Sequence, residues 1–471
     1  MNMKLALAVL VVSVLALGAH PARAQAANAL IIRNARVLDT RTATVRERMT
    51  IVATGDRITA VMADSAAPRT SRARVVDARG RLVTPAFIDV HHHVDFVFPD
   101  SMIPGGGAIA KFTMRPDSIA AYRFRWANEY LPHGIAVVRE VGGNDRYLPL
   151  RLAWMQASPD APDFFSSGGA LVSPEQGRIP YLNHTVVNDP ADAARQVRQY
   201  HDEGLRDIKL YWRLRDPEFV AAFTEARRLG MHVTAHVDQG IVGISRALRL
   251  GVRHFEHAHA VGVELLPARL VNAAWERTRR ELGPRPRAAF WWGTLEQFNM
   301  LGDRNPALAR RVRELAAAGA TVTPTLHIFA EHVGITYFKA LWMGDFDDSS
   351  SWTDAQRTRA RAGYERLEEL VLALHGAGVT LAVGTDARYP GQTVLSEILL
   401  LERAGIPMAE ALAIASLGGA KVLEREADYG AIEPGRKAHL IIFDRDPLND
   451  PRGILGAKTV IKDGRLVSAT R

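Results

Sequence analysis

The order of apolar runs predicts an α/β protein, a (β/α)8 barrel carrying a small β-sandwich built from both chain ends. Three observations predict it. Short apolar runs alternate with amphipathic helical stretches through the middle of the chain. The middle is bracketed by β-rich segments at both ends. Several of the apolar runs end on a histidine, lysine or aspartate, at the position where barrel enzymes carry their chemistry.

From Ala29 to Val83 the pattern is β-like. The runs Leu30-Ile31-Ile32, Ala35-Arg36-Val37-Leu38, Met49-Thr50-Ile51-Val52 and Ile58-Thr59-Ala60-Val61 are separated by turn signals such as Gly55-Asp56. The barrel strands are predicted at Phe87 to His91, Ile135 to Glu140, Phe164 to Ser167, Asp207 to Leu210, Val233 to His236, Arg253 to His257, Thr321 to Thr325 and Leu381 to Asp386. Helices are predicted between them, for example over Pro217 to Leu229 and Ala307 to Ala318. A doubly wound open sheet is the rival arrangement, but no glycine-rich phosphate fingerprint follows a strand. After Gly430 the pattern returns to β, with Leu440-Ile441-Ile442-Phe443, Thr459-Val460-Ile461 and the turn Asp463-Gly464. The expected division is residues 85–425 for the barrel, with 25–84 and 426–471 forming the sandwich. A segment from Glu264 to Asn299, holding Trp275, Trp291 and Trp292, reads as an insertion over the barrel mouth.

The 471 residues are 47% hydrophobic and 23% charged, the balance of a globular chain with a large core. Residues 1–24 combine Lys4, an apolar run from Leu5 to Leu17 and a closing Ala22-Arg23-Ala24. That is the pattern of a cleaved secretory signal, with an apolar run too short for a membrane span of about 20 residues. A periplasmic or secreted protein without a stable membrane anchor is expected. The formal net charge is +8, and two of those charges, Lys4 and Arg23, lie in the signal. The arginines are dispersed rather than striped, which argues against a nucleic-acid surface. The absence of cysteine excludes disulfides, thiolate metal sites, a cysteine nucleophile and a lipidated-cysteine anchor.

Asp89-Val90-His91-His92-His93 follows an apolar strand directly. Residues i and i+2 of a strand share a face, so His91 and His93 can meet one cation while His92 points elsewhere. Imidazole suits zinc and other first-row metals. His236, His257 and Asp386 each close a later predicted strand, so the same rim gathers further metal-competent groups. Lys209 closes the strand Asp207-Ile208. An unmodified lysine there repels a metal and suits a substrate carboxylate, whereas a modified one can ligate. Both readings stay open at this point. His327, two residues past Thr325, and Tyr211, two past Lys209, are candidate substrate-binding residues. Arg139-Glu140, Arg388 and Tyr389 are weaker candidates, and His133, His184, His259, His332 and His375 are read as structural.

The segment Pro85-Ala86-Phe87-Ile88-Asp89-Val90-His91-His92-His93 resembles the opening motif of the metal-dependent amidohydrolase superfamily. Gly384-Thr385-Asp386-Ala387 is similar to its eighth-strand motif. Gly430-Ala431-Ile432-Glu433-Pro434-Gly435-Arg436-Lys437-Ala438-His439-Leu440 resembles its return into the terminal β domain. Thr323-Pro324-Thr325-Leu326 and Gly251-Val252-Arg253-His254-Phe255-Glu256-His257 resemble the branch holding imidazolonepropionase-like and Xaa-Pro dipeptidase-like members. The resemblance implies that His91, His93 and Asp386 bind one zinc ion and His236 and His257 a second. It implies a carboxylated Lys209 bridging them and Asp386 moving the catalytic proton. Departures are Ala86 and His439, which replace the usual glycine and aspartate, the unusual His92, and a missing Gly-Gly after Lys209. A mononuclear site, with His257 meeting substrate or solvent, therefore remains open.

The implied activity is hydrolysis of an amide or peptide-like C–N bond in a dipeptide or N-acyl amino acid. Alternatives on the same site are hydrolysis of a cyclic amide, lactone or organophosphate, or deamination. Outside enzymes, the alternative is a periplasmic ligand-binding protein with a degraded site. The expected partner is a small molecule, and self-association into a homo-oligomer is left open.

Overall fold

The computed structural model describes residues 29–67, 73–94, 116–175, 184–237, 241–283, 288–302, 305–338 and 349–467. The signal expected over 1–24 lies outside them.

The N-terminal segment contributes β1 (Ala29–Asp39), β2 (Thr44–Thr54), β3 (Arg57–Ala63), β4 (Arg74–Asp77) and β5 (Leu82–Pro85). The middle contributes β6 (Phe87–His92), β7 (Ile135–Glu140), β8 (Asp163–Ser166), β9 (Ala170–Val172), β10 (His184–Val186), β11 (Asp207–Leu210), β12 (His232–Ala235), β13 (His254–Glu256), β14 (Thr321–Thr323) and β15 (Thr380–Leu381). The C-terminal segment adds β16 (Leu440–Phe443), β17 (Lys458–Lys462) and β18 (Arg465–Leu466).

Both chain ends do pair, through β16 against β5. All eight terminal strands lie in one hydrogen-bonded sheet, ordered β18-β17-β16-β5-β1-β2-β3 with β4 also on β1. The reason lies in β1. Asn34 sits at φ +52, a left-handed conformation that asparagine tolerates. Before it, Leu30 to Arg33 pair with β4; beyond it, Arg36 and Val37 pair with β5. One long strand thus serves two neighbours and keeps the sheet continuous. Leu30, Ile32, Val37, Ile51, Leu440, Ile442 and Ile461 bury the sheet's own core.

The middle strands all run parallel. They form a three-stranded sheet β6-β7-β8 and a seven-stranded sheet β10-β9-β11-β12-β13-β14-β15. A parallel bridge from Ser167 to Asp207 links the two at one margin. At the other, Val90 N donates to Val383 O and Thr385 N to His91 O, both at 3.0 Å. The short strands β9 and β10 escape sequence reading because three residues carry no periodicity. The helices Asp216–Arg228 and Pro306–Ala317 fall where amphipathic spacing predicts them. Of the Trp-rich segment, Ala268–Leu282 and Ala289–Leu301 are helices. The second packs closely on the helix Asp354–Gly376, where a Cβ on Gly363 would stand 2.1 Å from Leu295 O. Trp291 and Trp292 are buried, and Trp292 Nε1 donates to Gln356 O at 3.2 Å. Among the described residues, no helix is long and apolar enough to cross a membrane.

Candidate metal centre

Parallel strands bring their C-terminal ends to one rim. His91 lies on β6 and His93 just past it. His236 follows β12, His257 follows β13, and Asp386 lies beyond β15. Their backbones are pinned together: Asp386 N donates to His91 O at 2.8 Å, and His257 N to Thr323 O at 2.8 Å. His257, Thr325 and Asp386 hold left-handed φ angles of 67°, 51° and 45°. Such strain in non-glycine residues persists where surrounding structure over-determines it, commonly at functional sites.

The Asp386 carboxylate is the hub. His91 Nε2 and His93 Nε2 stand 3.7 and 3.4 Å from its Oδ1, and His257 Nε2 stands 3.8 Å from its Oδ2. His91, His93 and Asp386 offer donor atoms within 4.8 Å of one another. The His236 ring is 4.3 Å from that of His257. The other nitrogen of each hub imidazole is tied back. His91 Nδ1 meets Glu256 Oε2 at 2.7 Å, His93 Nδ1 meets Glu140 Oε1 at 3.2 Å, and His257 Nδ1 meets Thr325 Oγ1 at 2.8 Å. A partner on one ring nitrogen sets the tautomer and leaves the other for a metal, the usual second layer of a metal site.

Lys209 lies on β11 and is 2% exposed. Its Nζ has no hydrogen-bond partner, and neither has His236 Nε2. Burial lowers the Lys209 ammonium to about 8. Burial, reinforced by neighbouring cationic groups, holds His236 and His257 well below the usual imidazole value. They are neutral near pH 7, the form that ligates. The orphaned His236 nitrogen, the neutral imidazoles and a carboxylate fit a divalent cation that favours nitrogen and oxygen, whereas Lys209 as an ammonium does not ligate.

His92 points the other way, as the strand period requires, and packs edge-on against Tyr130 at 5.4 Å. Tyr211 is half-buried and stands edge-on to His236 at 5.0 Å, so it belongs to the site's wall. His327 begins a short helix and is fully buried, with Nδ1 on Ser396 Oγ at 2.8 Å and its ring stacked on Phe338. It is anchored to the helix Pro390–Arg403. Tyr389, at the start of that helix, is 54% exposed.

Sequence reading gave Arg139 and Glu140 only as weaker candidates and missed Glu256. Glu256 accepts from Arg139 Nη2 at 2.9 Å and Thr234 Oγ1 at 2.6 Å as well as meeting His91. Glu256 closes the strand His254-Phe255-Glu256 and takes its partners from β6, β7 and β12, so no local pattern marks it. His259, read as structural, is 3% exposed with no hydrogen bond at either ring nitrogen, 5.3 Å from the His257 ring. The Trp-rich segment reaches it through Phe290, at 6.2 Å.

A sequence profile describing the amidohydrolase family matches residues 82–467. The chain belongs to the amidohydrolase family. It is 23% identical over 425 residues to the imidazolonepropionase of Streptomyces griseus subsp. griseus, covering 84% of this chain and 85% of that one. The imidazolonepropionase of Geobacillus kaustophilus is 35% identical over 103 residues, 19% of this chain. That match spans 23% of the Geobacillus protein's length. The fold is shared with a Xaa-Pro dipeptidase crystallised with methionine in its active site (TM-score 0.64, 21% identity, 93% of this chain, 99% of that one). The family and its imidazolonepropionase relatives indicate a hydrolase acting on C–N bonds.

Proposed function

We propose that this amidohydrolase is a metal-dependent enzyme cleaving the amide or peptide-like bond of a dipeptide or N-acyl amino acid. The carrying observation is the ring of three imidazole Nε2 atoms at 3.4–3.8 Å around Asp386, each with its Nδ1 already engaged. His91, His93 and Asp386 would hold one zinc ion, and His236 and His257 a second. Lys209, as its carbamate, would add an anionic oxygen donor to the same set. Metal ions of this kind polarise a carbonyl and bring the pKa of water from 15.7 to about 7. Asp386 accepts the attacking water's proton and passes it to the leaving nitrogen. Tyr211, beside His236, is assigned to the substrate carbonyl or carboxylate.

The strand ring is taken as a closed barrel over 85–425, with 25–84 and 426–471 as the accessory β domain. The enzyme is assigned to the periplasm or the exterior, acting on a small molecule. The support is the leader pattern of residues 1–24.

The test is a screen of metal-stripped and zinc-loaded protein against Xaa-Pro dipeptides, other dipeptides and N-acyl amino acids. Zinc-dependent release of the free amine is expected. A protein that binds no zinc, or turns over equally well without it, would overturn the assignment. The imidazolonepropionase likeness favours a second reading, opening of a cyclic amide, so imidazolone and hydantoin rings belong in the same screen.

A further inference from the structure

At the opposite end of the strands, a second group of donors converges. His232 is the first residue of β12 and His254 the first of β13. Their rings lie 4.2 Å apart. Glu424 arrives from the segment after the helix Gly419–Val422, on the way to the C-terminal strands, and its Oε1 stands 3.7 Å from His254 Nε2. One donor atom from each of the three residues lies within 4.8 Å of the others.

The arrangement repeats the logic of the candidate active site. His254 Nδ1 is engaged by Thr321 Oγ1 at 2.9 Å, which leaves Nε2 toward Glu424. His232 Nδ1 stands 3.2 Å from Asp207 Oδ1 and 3.5 Å from Arg139 Nη1. Its Nε2 is buried without a hydrogen-bond partner, in a side chain only 9% exposed. The Arg139 charge is met by Glu256 at 2.9 Å. Glu424 holds φ +55, a left-handed conformation that favours glycine. That conformation closes the helix Gly419–Val422, with Glu424 N donating to Lys421 O at 3.1 Å and Arg425 N to Ala420 O at 2.9 Å, and it aims the carboxylate toward His254. A cavity of about 450 Å³ reaches two of the three residues, His232 and Glu424, beside Asp207, Arg206 and Arg425.

We propose that His232, His254 and Glu424 form a structural site for a borderline divalent cation of the zinc type, independent of the active centre. Two imidazoles and one carboxylate are a zinc donor set, with the cavity admitting water as a further ligand. The bound ion ties β12 and β13 to the segment leading into the terminal sheet, so it stabilises the join between the two parts of the chain.

The experiment compares wild-type protein with His254→Gln and Glu424→Gly variants, stripped of metal and titrated with Zn(II) or Co(II). Wild type is expected to bind one equivalent more than either variant, while the variants keep wild-type turnover under saturating zinc. Glu424→Gly separates a ligand from a mere structural residue, because glycine relieves the strain at φ +55. Its metal-free Tm should equal or exceed that of wild type, and its zinc-induced rise in Tm should be smaller. Equal stoichiometry and equal zinc-induced Tm shifts in wild type and both variants would overturn the proposal. A His91→Ala, His93→Ala double variant that still binds this equivalent would confirm its independence; loss of that equivalent together with the active-centre metal would refute it.

Discussion

Asp386 faces three imidazoles within 3.4–3.8 Å, and in the proposed mechanism its carboxylate would both join the donor set and receive the proton. Asp386→Asn keeps the shape and removes the basicity. Turnover should fall by about 10²–10⁴-fold, the range for a lost general acid–base, measured as kcat on whichever amide the wild type cleaves. Wild-type kcat in that variant would contradict the role. Glu256→Gln acts one step back. It weakens the grip on His91 Nδ1 and leaves Arg139 less well paired, so zinc affinity should drop about 10–100-fold in chelator competition. His91, His93, His236, His257 and Asp386 were legible because each sits at or just past the end of an apolar run. Glu256 and His259 were not, because their meaning depends on what other strands place beside them.

At Gly384, between β15 and the site, the strand ends pack tightly. A Cβ there would stand 2.4 Å from Thr323 Cγ2 and 2.5 Å from His91 Cβ. Gly384→Ala must push β6 and β14 apart or shift His91. A cost of about 1–3 kcal/mol is expected from such overpacking, together with weaker zinc binding. Differential scanning calorimetry and metal titration check the two effects, and an unchanged Tm with unchanged affinity would refute the close packing. Elements with regular periodicity, such as the helix Asp216–Arg228 and the strand Ile135–Glu140, follow from local pattern alone. The strands β9 and β10 exist because neighbouring backbone completes their hydrogen bonds, which no local pattern announces.

The two parts of the molecule meet at Asp163 on β8, which accepts from Lys462 Nζ at 2.8 Å and meets His439 Nε2 at 3.0 Å. Tyr429 donates to the same carboxylate at 2.8 Å. Burial raises the Asp163 carboxyl, but His439 and Lys462 more than offset this and hold it below its ordinary value. A depressed carboxyl contributes stability above its unfolded pKa of about 3.9, and that stability is lost as pH falls through the lower folded value. Asp163→Asn should cost about 1–3 kcal/mol at pH 7, because Lys462 and His439 lose one of their two carboxylate partners while Asp463 stays beside both. Below about pH 4 the gap between variant and wild type should narrow, as urea midpoints across that range would reveal. A gap that stayed constant with pH would refute the charge pairing. The linear chain by itself determined the alternation of strands and helices, the β-rich ends, and which strand ends carry metal-competent side chains, since these are set by residue type and local period. The tertiary structure alone decided that the terminal strands form one sheet. It also decided that Lys209 and His236 keep buried, unpartnered nitrogens, and that His232, His254 and Glu424 gather at the far end. Those outcomes depend on distances between residues remote in the chain, which local periodicity does not encode.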